Sequence, residues 1–558
     1  MKIALVQCNS VTGDIAGNLE NILEAAAQAA RAGAELCVTP ELALCGVAPR
    51  HYLCAEDFAS GCLTALDKMA VALADGPPLL VGTPVPSAYA ASLLSNAAVL
   101  VEKGRWRVVS RKVCQETALR QDAHAPQRGD DGLFDRGISC GILALGGWRL
   151  GVVLCEESRG GDASFWQPRH AGGHSAFMEL LRRGVDAVVH LNASPFRAGS
   201  QAMTEHMLSH VAARHHVYIF SANMVGGNDS RVYHGQSLAI DPTGQLLGRG
   251  KAFEEDLLLL DTSSARGGGR VAPPPACREE EYWRALVLGT RDFVHKCGME
   301  RVLVALSGGM DSALVCCVAV EALGADNVTG VLMPSPHSSA GSLDDARALA
   351  ENLGIRTLTI PIGPLMHGFA QALAPGLELF AEPPGDVTFE NIQARIRGCI
   401  VASLANRAQA LVLNTGNKSE CAVGYSTLYG DTVGALSVIG DLTKTLVYAV
   451  GRWYNDHRDA RIPEEIFRKP PSAELRPGQK DEDSLPPYEK LDPLLESLLA
   501  PASSGTAPQT PLRQEIRRKL FAAEFKRRQE PLAICVTSVP FGNAWQTPVA
   551  GRYRLPQP

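Results

Sequence analysis

The chain of 558 residues has no excess of basic charge: 53 lysines and arginines stand against 59 aspartates and glutamates, a formal net charge of −6. That balance argues against a general nucleic-acid binder and leaves room only for a local basic groove. No stretch interleaves basic and aromatic residues, and no zinc-knuckle cysteines occur. No apolar run reaches the about 18 uninterrupted residues of a membrane helix. The N-terminus, "MKIALVQCNS", is too short in its apolar part for a secretory signal and lacks a small-residue cleavage site. Cysteine is present 15 times, but no two cysteines have CxxC spacing. An odd, scattered set excludes a disulfide framework and fits a reducing compartment. Tandem repeats are absent as well. These absences predict a soluble, cytoplasmic chain with no nucleic-acid partner and no membrane span.

What is present is enough sequence for two or more cores. "TSSARGGGRVAPPPA" (262–276) is rich in glycine, proline and serine and reads as a linker; "APASSGTAPQTP" (500–511) reads as a surface loop. Before the linker, short apolar runs such as "KIALVQC", "PLLVGTP", "WRLGVVLCEES" and "DAVVHLNAS" read as strands. The alanine-rich "NLENILEAAAQAARAGA" reads as a helix stopped near Gly33. After it, "EYWRALVLGTRDFVHKCG" is an amphipathic helix, followed by alternating strands and helices ("VTGVLMPS", "SLDDARALAENLG", "RTLTIPI"). That alternation predicts a doubly wound parallel sheet. The organisation expected is a domain over 1–262, a linker over 263–279 and a second α/β domain over 280–558.

"RVLVALSGGMDSALVCCVAV" (301–320) runs apolar, breaks at Ser307, Gly308, Gly309, Met310, Asp311 and Ser312, and turns apolar again. A strand that ends in Ser-Gly-Gly and opens a helix aims several backbone N–H groups outward. The helix N-terminus adds partial positive charge, so an anion is favoured there. The lysine of an ordinary P-loop, GxxxxGK[ST], is missing. Asp311 stands where positive charge is expected, which makes sense if it holds Mg²⁺ against the phosphates. The plainer alternative is a tight turn with Asp311 as its cap.

SGGMDS resembles the SGGxDS signature of the PP-loop ATP pyrophosphatases. The segments "MPSPHSSAGSLDDARALAENLGI", "ENIQARIRG", "TGNKSECAVGYSTLYGD", "KTLVYAV" and "KPPSAELRPGQKDEDSLPPY" are similar, in the same order, to the glutamine-dependent NAD⁺ synthetase family. The resemblance covers 280–555. It implies transfer of AMP from ATP to the nicotinate carboxylate of deamido-NAD⁺, release of pyrophosphate, and attack of ammonia on the acyl-adenylate. Residue by residue it implies that 307–312 and Thr415 contact ATP. It further implies that Asp311 and Glu420 hold Mg²⁺, and that Asn391, Glu420 and Lys526 touch deamido-NAD⁺. Lys418 and Arg395 would be phosphate or ribose contacts; for them and Arg397 a solvated helix face is the alternative. The 470–488 stretch either closes over the ATP site or is an ordered surface loop. The family also implies a homo-oligomer, a dimer of synthetase domains or larger.

In the N-terminal half, "VTPELALCG", "RWRVVSRKV" and "GVVLCEES" place Glu41, Lys112 and Cys155 just after apolar strands. A thiol that attacks an amide needs a base for its proton and a donor for the oxyanion, and these residues supply those types. A buried structural cysteine is the alternative for Cys155. The segments resemble the nitrilase (carbon–nitrogen hydrolase) superfamily, and "LNASPF", "NMVGG" and "FEEDL" resemble the glutaminase half of the synthetase family. The resemblance implies a four-layered αββα sandwich, with Glu41 as base, Lys112 as stabiliser, Cys155 as nucleophile and Ser194 as a glutamine contact. It also implies a tunnel for ammonia between the two sites.

Three segments depart from the family pattern. "VCQETALRQDAHAPQRG" replaces the usual loop after the lysine, "CEESRG" replaces "CEDxW", and Arg197-Ala198-Gly199-Ser200 replaces a His-x-Gly-Lys segment. Glutamine is the expected nitrogen donor. The alternatives are an ammonia-dependent synthetase with a degenerate glutaminase half and a PP-loop enzyme that modifies tRNA. "EHMLSH" sets His206 and His210 one helical turn apart, either a metal pair or surface histidines.

Overall fold

In the strand β1 (Lys2–Gln7) Ile3, Ala4, Leu5 and Val6 are all buried, so neither face meets solvent. Alternate residues of a strand point to opposite faces, and here they join different cores. Ala4 and Val6 pack with Ile22, Ala26, Leu66 and Met69, while Ile3 and Leu5 pack with Val152, Val189 and Phe220. One face is therefore covered by helices and the other by a second sheet. The computed structural model describes residues 1–88, 93–113, 134–135, 137–138, 140–155, 176–263, 268–383, 385–500 and 510–550. Most of the rewritten segment after Lys112, and the residues after Cys155 in "CEESRG", lie outside them. The chain forms two compact units, Met1–Ala276 and Cys277–Pro558.

The first sheet continues with β2 (Leu36–Val38), β3 (Leu79–Pro86), β4 (Leu94–Glu102), β5 (Arg105–Arg111) and the short β6 (Phe134–Asp135). The second uses β7 (Gly141–Leu145), β8 (Trp148–Leu154), β9 (Ala187–Asn192) and β10 (Tyr218–Asn223). A hairpin follows, β11 (Val225–Asn228) with β12 (Arg231–His234). Then come β13 (Leu238–Ile240) and β14 (Leu246–Arg249) of the second sheet, and β15 (Asp256–Asp261), which returns to pair antiparallel with β1. The orders are β15-β1-β2-β3-β4-β5, with β6 on β4, and β14-β13-β10-β9-β8-β7. Helices α1 (Ile15–Arg31) and α2 (Glu56–Ala72) cover the first sheet, and α3 (Ala176–Arg182) and α4 (Ser200–His215) the second. This is the αββα arrangement that the sequence implied. The α1 helix starts where Asp14 accepts the N–H of Gly17 and ends before Gly33, at φ +77°. Residues 270–272 of the glycine- and proline-rich stretch run beside β14, with Arg249 N–H on the Arg270 carbonyl and Ala272 N–H on the Arg249 carbonyl.

The second unit begins with α5 (Arg278–Lys296) and then alternates. It runs through β16 (Arg301–Ala305), α6 (Met310–Leu323), β17 (Val328–Leu332), α7 (Ala340–Leu353) and β18 (Arg356–Thr359). It continues with α8 (Gly363–Leu377), α9 (Thr388–Ala408), β19 (Ala410–Asn414), α10 (Lys418–Val423), β20 (Leu436–Ser437), α11 (Lys444–His457) and, near the end, β21 (Leu532–Ala533). All six strands are parallel, in the order β18-β17-β16-β19-β20-β21. The order reverses between β16 and β19, and ligands of open parallel sheets bind beyond the strand ends at such a switch point. Among the described residues no helix is long and apolar enough to cross a membrane.

Candidate active sites

In each unit several of the residues singled out above follow the ends of strands. In the first unit Glu41 follows β2 through Thr39 and Pro40, and its segment lies directly on β3. Gly82 makes that approach possible: a Cβ there would stand 2.5 Å from both the Leu42 nitrogen and the Pro40 carbonyl oxygen. The Gly82 N–H donates to Thr39 Oγ1 (3.2 Å), and Leu42 takes a left-handed φ of +53°. Lys112 follows β5 and donates its backbone N–H to the Asn96 carbonyl on β4 (2.8 Å). Its Nζ then reaches Glu41 Oε1 at 2.7 Å, and Asn96 Nδ2 donates to the same oxygen at 2.8 Å. All three side chains are buried. Asn96 was not singled out by the sequence; its only signal is an amide inside the apolar run "LSNAAVLVE".

Cys155 ends β8 with φ +39°, a left-handed conformation that costs a non-glycine residue energy and concentrates at functional sites. Its Sγ lies 3.8 Å from Ser194 Oγ, and Ser194 in turn donates to Asn192 Oδ1 at 2.8 Å. Leu42 and Ala193 share one apolar cluster with Cys45 and Met224, so the segments carrying Glu41 and Ser194 pack together. Gly199, in the altered segment, precedes α4 at φ +78°, and His206 is exposed on that helix.

In the second unit the glycine loop joins β16 to α6. Gly308 sits at φ +77°, and a Cβ there would come 2.1 Å from the Ser342 carbonyl oxygen, so only glycine fits. Gly309, not Asp311, is the residue that precedes the helix. The loop is closed by its own serines: Ser307 N–H donates to Ser312 Oγ (3.3 Å), and Ser312 Oγ–H donates to the Gly309 carbonyl (3.1 Å). Asp311 is instead tied across the cavity to Asn417 Nδ2 (3.2 Å) and to Lys444 Nζ. Lys444 also reaches Glu420 Oε1 at 3.0 Å. Burial pushes the Glu420 carboxyl up to about 7; Lys444 opposes this, and the Asp311 and Asp481 charges add to it. Burial alone would lower Lys444, but Asp311 and Glu420 raise it above its ordinary value. Burial also raises Asp481, whose Oδ2 accepts from Tyr488 (2.8 Å).

These groups line a cavity of about 310 Å³ beyond the ends of β16 and β19. All of Ser307–Ser312, Thr415 and Glu420 border it, together with Lys444, Arg397 and Asp481. So does 469–475: Glu474 accepts from Ser339 Oγ (3.0 Å) and Ser342 Oγ (2.7 Å) at the start of α7. Asn391 and Lys526 stand beside the cavity, not in its lining. Asn391 Oδ1 accepts from Thr427 Oγ1 (2.7 Å), and Lys526 Nζ donates to the Gly424 and Ser426 carbonyls (2.8 and 2.6 Å).

One reading is corrected. Lys418 is neither a phosphate contact nor on a solvated face; it is fully buried, its Nζ donating to the Val539 carbonyl (2.6 Å) and Thr537 Oγ1 (3.2 Å) and facing Asp441. Asp441 also accepts the N–H groups of Val536, Thr537 and Phe541 (2.7, 2.7 and 2.8 Å). Arg395 is exposed and bonded to the Leu428 carbonyl. Lys444 is the principal residue missed; a lysine heading the apolar helix "KTLVYAV" was its signal.

Comparison with known proteins agrees with this division. Residues 2–268 match the carbon-nitrogen hydrolase family, and residues 282–530 match the NAD synthase family. A glutamine-dependent NAD(+) synthetase of Synechocystis sp. is 41% identical, over 98% of this chain and 98% of that protein. One from Thermotoga maritima is 37% identical over 100% and 99%. The solved glutamine-dependent NAD+ synthetase of Acinetobacter baumannii in complex with ADP is 28% identical, with a TM-score of 0.74 over 98% of this chain and 99% of that one. The fold is also that of a Cytophaga hutchinsonii relative, at 20% identity, a TM-score of 0.79 and coverage of 99% and 98%. With both halves matched in order and the similarity running end to end, the chain belongs to the glutamine-dependent NAD⁺ synthetase family.

Proposed function

We propose that this enzyme forms NAD⁺ from deamido-NAD⁺ by ATP-dependent amidation, and that Glu41, Lys112 and Cys155 supply the ammonia from glutamine. The observation that carries the second part is the buried Lys112–Glu41 pair at 2.7 Å, in a unit where Cys155, just after a strand, adopts a left-handed backbone beside Ser194. Glu41 Oε1 is taken by Lys112 and Asn96, so the proton of the thiol goes to Oε2. Ser194 donates to Asn192 Oδ1, which holds its hydroxyl oxygen 3.8 Å from the sulfur. Sγ attacks the glutamine carboxamide carbon, Lys112 stabilises the tetrahedral oxyanion, and Glu41 returns the proton to the departing ammonia. Water then releases glutamate from the thioester.

In the second unit the loop 307–312 and Thr415 would hold the ATP phosphates. Asp311 and Glu420 fit Mg²⁺: two hard carboxylate donors brought within reach of one lysine, one of them strained towards protonation by burial. When bound, the ion neutralises charge on the phosphates. Lys444 lies between the two carboxylates and can follow the charge as the nicotinate carboxylate attacks the α-phosphorus and pyrophosphate leaves. Asn391 and Lys526, with the 424–427 segment they hold, would position the dinucleotide. Ammonia is then the nucleophile. Like a lysine amine it is mostly protonated at neutral pH, so passage inside the protein keeps it reactive. Supplying amide-¹⁵N glutamine with unlabelled ammonium tests that passage; NAD⁺ carrying the diluted isotope ratio would refute it.

The decisive assay is NAD⁺ formation by Cys155→Ala with each nitrogen donor. Glutamine use should vanish and ammonium use persist; retained glutamine use would refute the assignment, and a wild-type protein without glutamine use would establish the ammonia-dependent alternative. A homo-oligomer also follows from the family. The helix α8 buries none of its side chains and presents Leu365, Phe369 and Leu373, an apolar stripe spaced by helical turns that a second copy would cover.

A further inference from the structure

We propose that His190 is a positioning residue for Cys155, one that holds the backbone of the nucleophile in its left-handed conformation. The inference rests on Cys155 being the nucleophile and adds what sets its geometry. His190 lies on β9, in register with Val153 of β8 on one side and Ser221 of β10 on the other. It is 3% exposed. A histidine in a strand otherwise reading Ala-Val-Val-His-Leu-Asn is out of keeping with its neighbours, which are apolar apart from the terminal amide.

Both ring nitrogens are used. Nε2 lies 2.8 Å from the Cys155 carbonyl oxygen, and Nδ1 lies 3.0 Å from Ser221 Oγ. A carbonyl oxygen only accepts, so Nε2 carries the hydrogen. Nδ1 is then the acceptor for the Ser221 hydroxyl, which fixes the tautomer from the far side. The residue whose carbonyl is held in this way is the one at φ +39°. Such a backbone persists only where its surroundings over-determine it. Here two grips converge on Cys155: His190 on its carbonyl, and Asn192 through Ser194 at its thiol. Both originate on β9, two residues apart and so on one face of the strand. The first orients the main chain and the second faces the sulfur. Loss of the first leaves the thiol in place but lets its Cα–Cβ direction relax. The expected loss is therefore in turnover, with little change in glutamine binding.

The test uses the full chain with His190→Leu, His190→Gln and Ser221→Ala. It reads glutamine-dependent and ammonium-dependent NAD⁺ formation, together with the rate at which iodoacetamide alkylates the Cys155 peptide. His190→Leu should lower glutamine kcat about 10- to 100-fold with KM for glutamine within about twofold, as expected of a misplaced reacting group. Alkylation of Cys155 should slow, and ammonium-dependent synthesis should be unchanged. His190→Gln places an amide donor at similar reach and should recover most of the loss. Ser221→Ala, which frees the tautomer, should fall between. Wild-type glutamine kcat and alkylation in His190→Leu would overturn the proposal. So would a loss that glutamine at this position does not relieve and that matches a drop in thermal stability. If His190→Leu does not fold, Ser221→Ala decides: an intermediate, turnover-only defect supports the proposal and none overturns it. Failure of the nucleophile assignment itself is read separately, as glutamine use by Cys155→Ala.

Discussion

In the N-terminal site one lysine faces one carboxylate; in the C-terminal site one lysine serves Asp311 and Glu420 directly, with Asp481 within electrostatic reach. The first constellation is charge-balanced and closed by an amide donor from Asn96. On the proposed assignment that balance, among the described residues, suits a substrate such as glutamine that carries no net charge. The second gathers three carboxylates about one lysine; burial first, and then the neighbouring carboxylates, push Glu420 and Asp481 upward against Lys444. On the proposed reading, a cation arriving with the nucleotide would offset that negative charge. The two halves thus differ in when they become complete: one on folding, the other on binding.

The largest expected effect separates the halves outright. Cys155→Ala should depress glutamine-dependent turnover by at least about 1,000-fold and leave ammonium-dependent turnover intact, as removal of a covalent nucleophile does. Steady-state assays with each donor check it. Lys444→Met should do the reverse in kind, lowering synthesis about 100-fold with either donor. It also leaves the carboxylates unpaired, so the unliganded protein should lose about 3–5 kcal/mol of stability; urea unfolding with and without Mg²⁺–ATP reads this. If the ligands fail to restore stability, the idea of a site completed on binding is wrong.

A third prediction concerns pH in the N-terminal unit. Burial pulls His234 from 6.5 down to about 4, while its Nε2 is held by Gln201 Oε1 at 2.8 Å. Between those values the folded state binds fewer protons than the unfolded one, so its contribution is full above pH 6.5 and lost as pH falls through 4. The loss is about 3 kcal/mol. His234→Asn should flatten the acid limb of unfolding followed by a probe in this unit. The smallest effect is expected from Gly82→Ala, where the new methyl pushes on the Glu41 segment: about 1–3 kcal/mol, with a selective fall in glutamine use.

The parts of this chain that were legible in its sequence are those where function and local backbone coincide. The loop 307–312 announces itself because a strand, a glycine turn and a helix start must be contiguous. Glu41, Lys112 and Cys155 stood out because each comes shortly after an apolar strand in a segment that resembles the nitrilase superfamily. The strands were legible in runs such as "KIALVQ", while the layered αββα arrangement came from the resemblance to the nitrilase superfamily. What was illegible acts across the chain. Asn96 meets Glu41 over 55 positions, and Lys444 meets Asp311 over 133. Lys418 was misplaced for that reason: its motif is local, while its burial is decided by residues more than 100 positions later.

That last contact bears on where this protein ends as a folding unit. The match to the NAD synthase family model ends at residue 530, although the similarity to whole relatives continues beyond it. Yet Val536, Thr537 and Phe541 donate their N–H groups to Asp441, Val539 and Thr537 accept from Lys418, and Leu532–Ala533 supplies the last strand. A chain shortened at residue 530 would strip the buried Lys418 and Asp441 of these partners, and Lys418 stands two residues before Glu420. Residues 531–541 are therefore part of the core of the unit that carries the cavity, and a chain shortened at 530 should unfold at a lower temperature than the full chain.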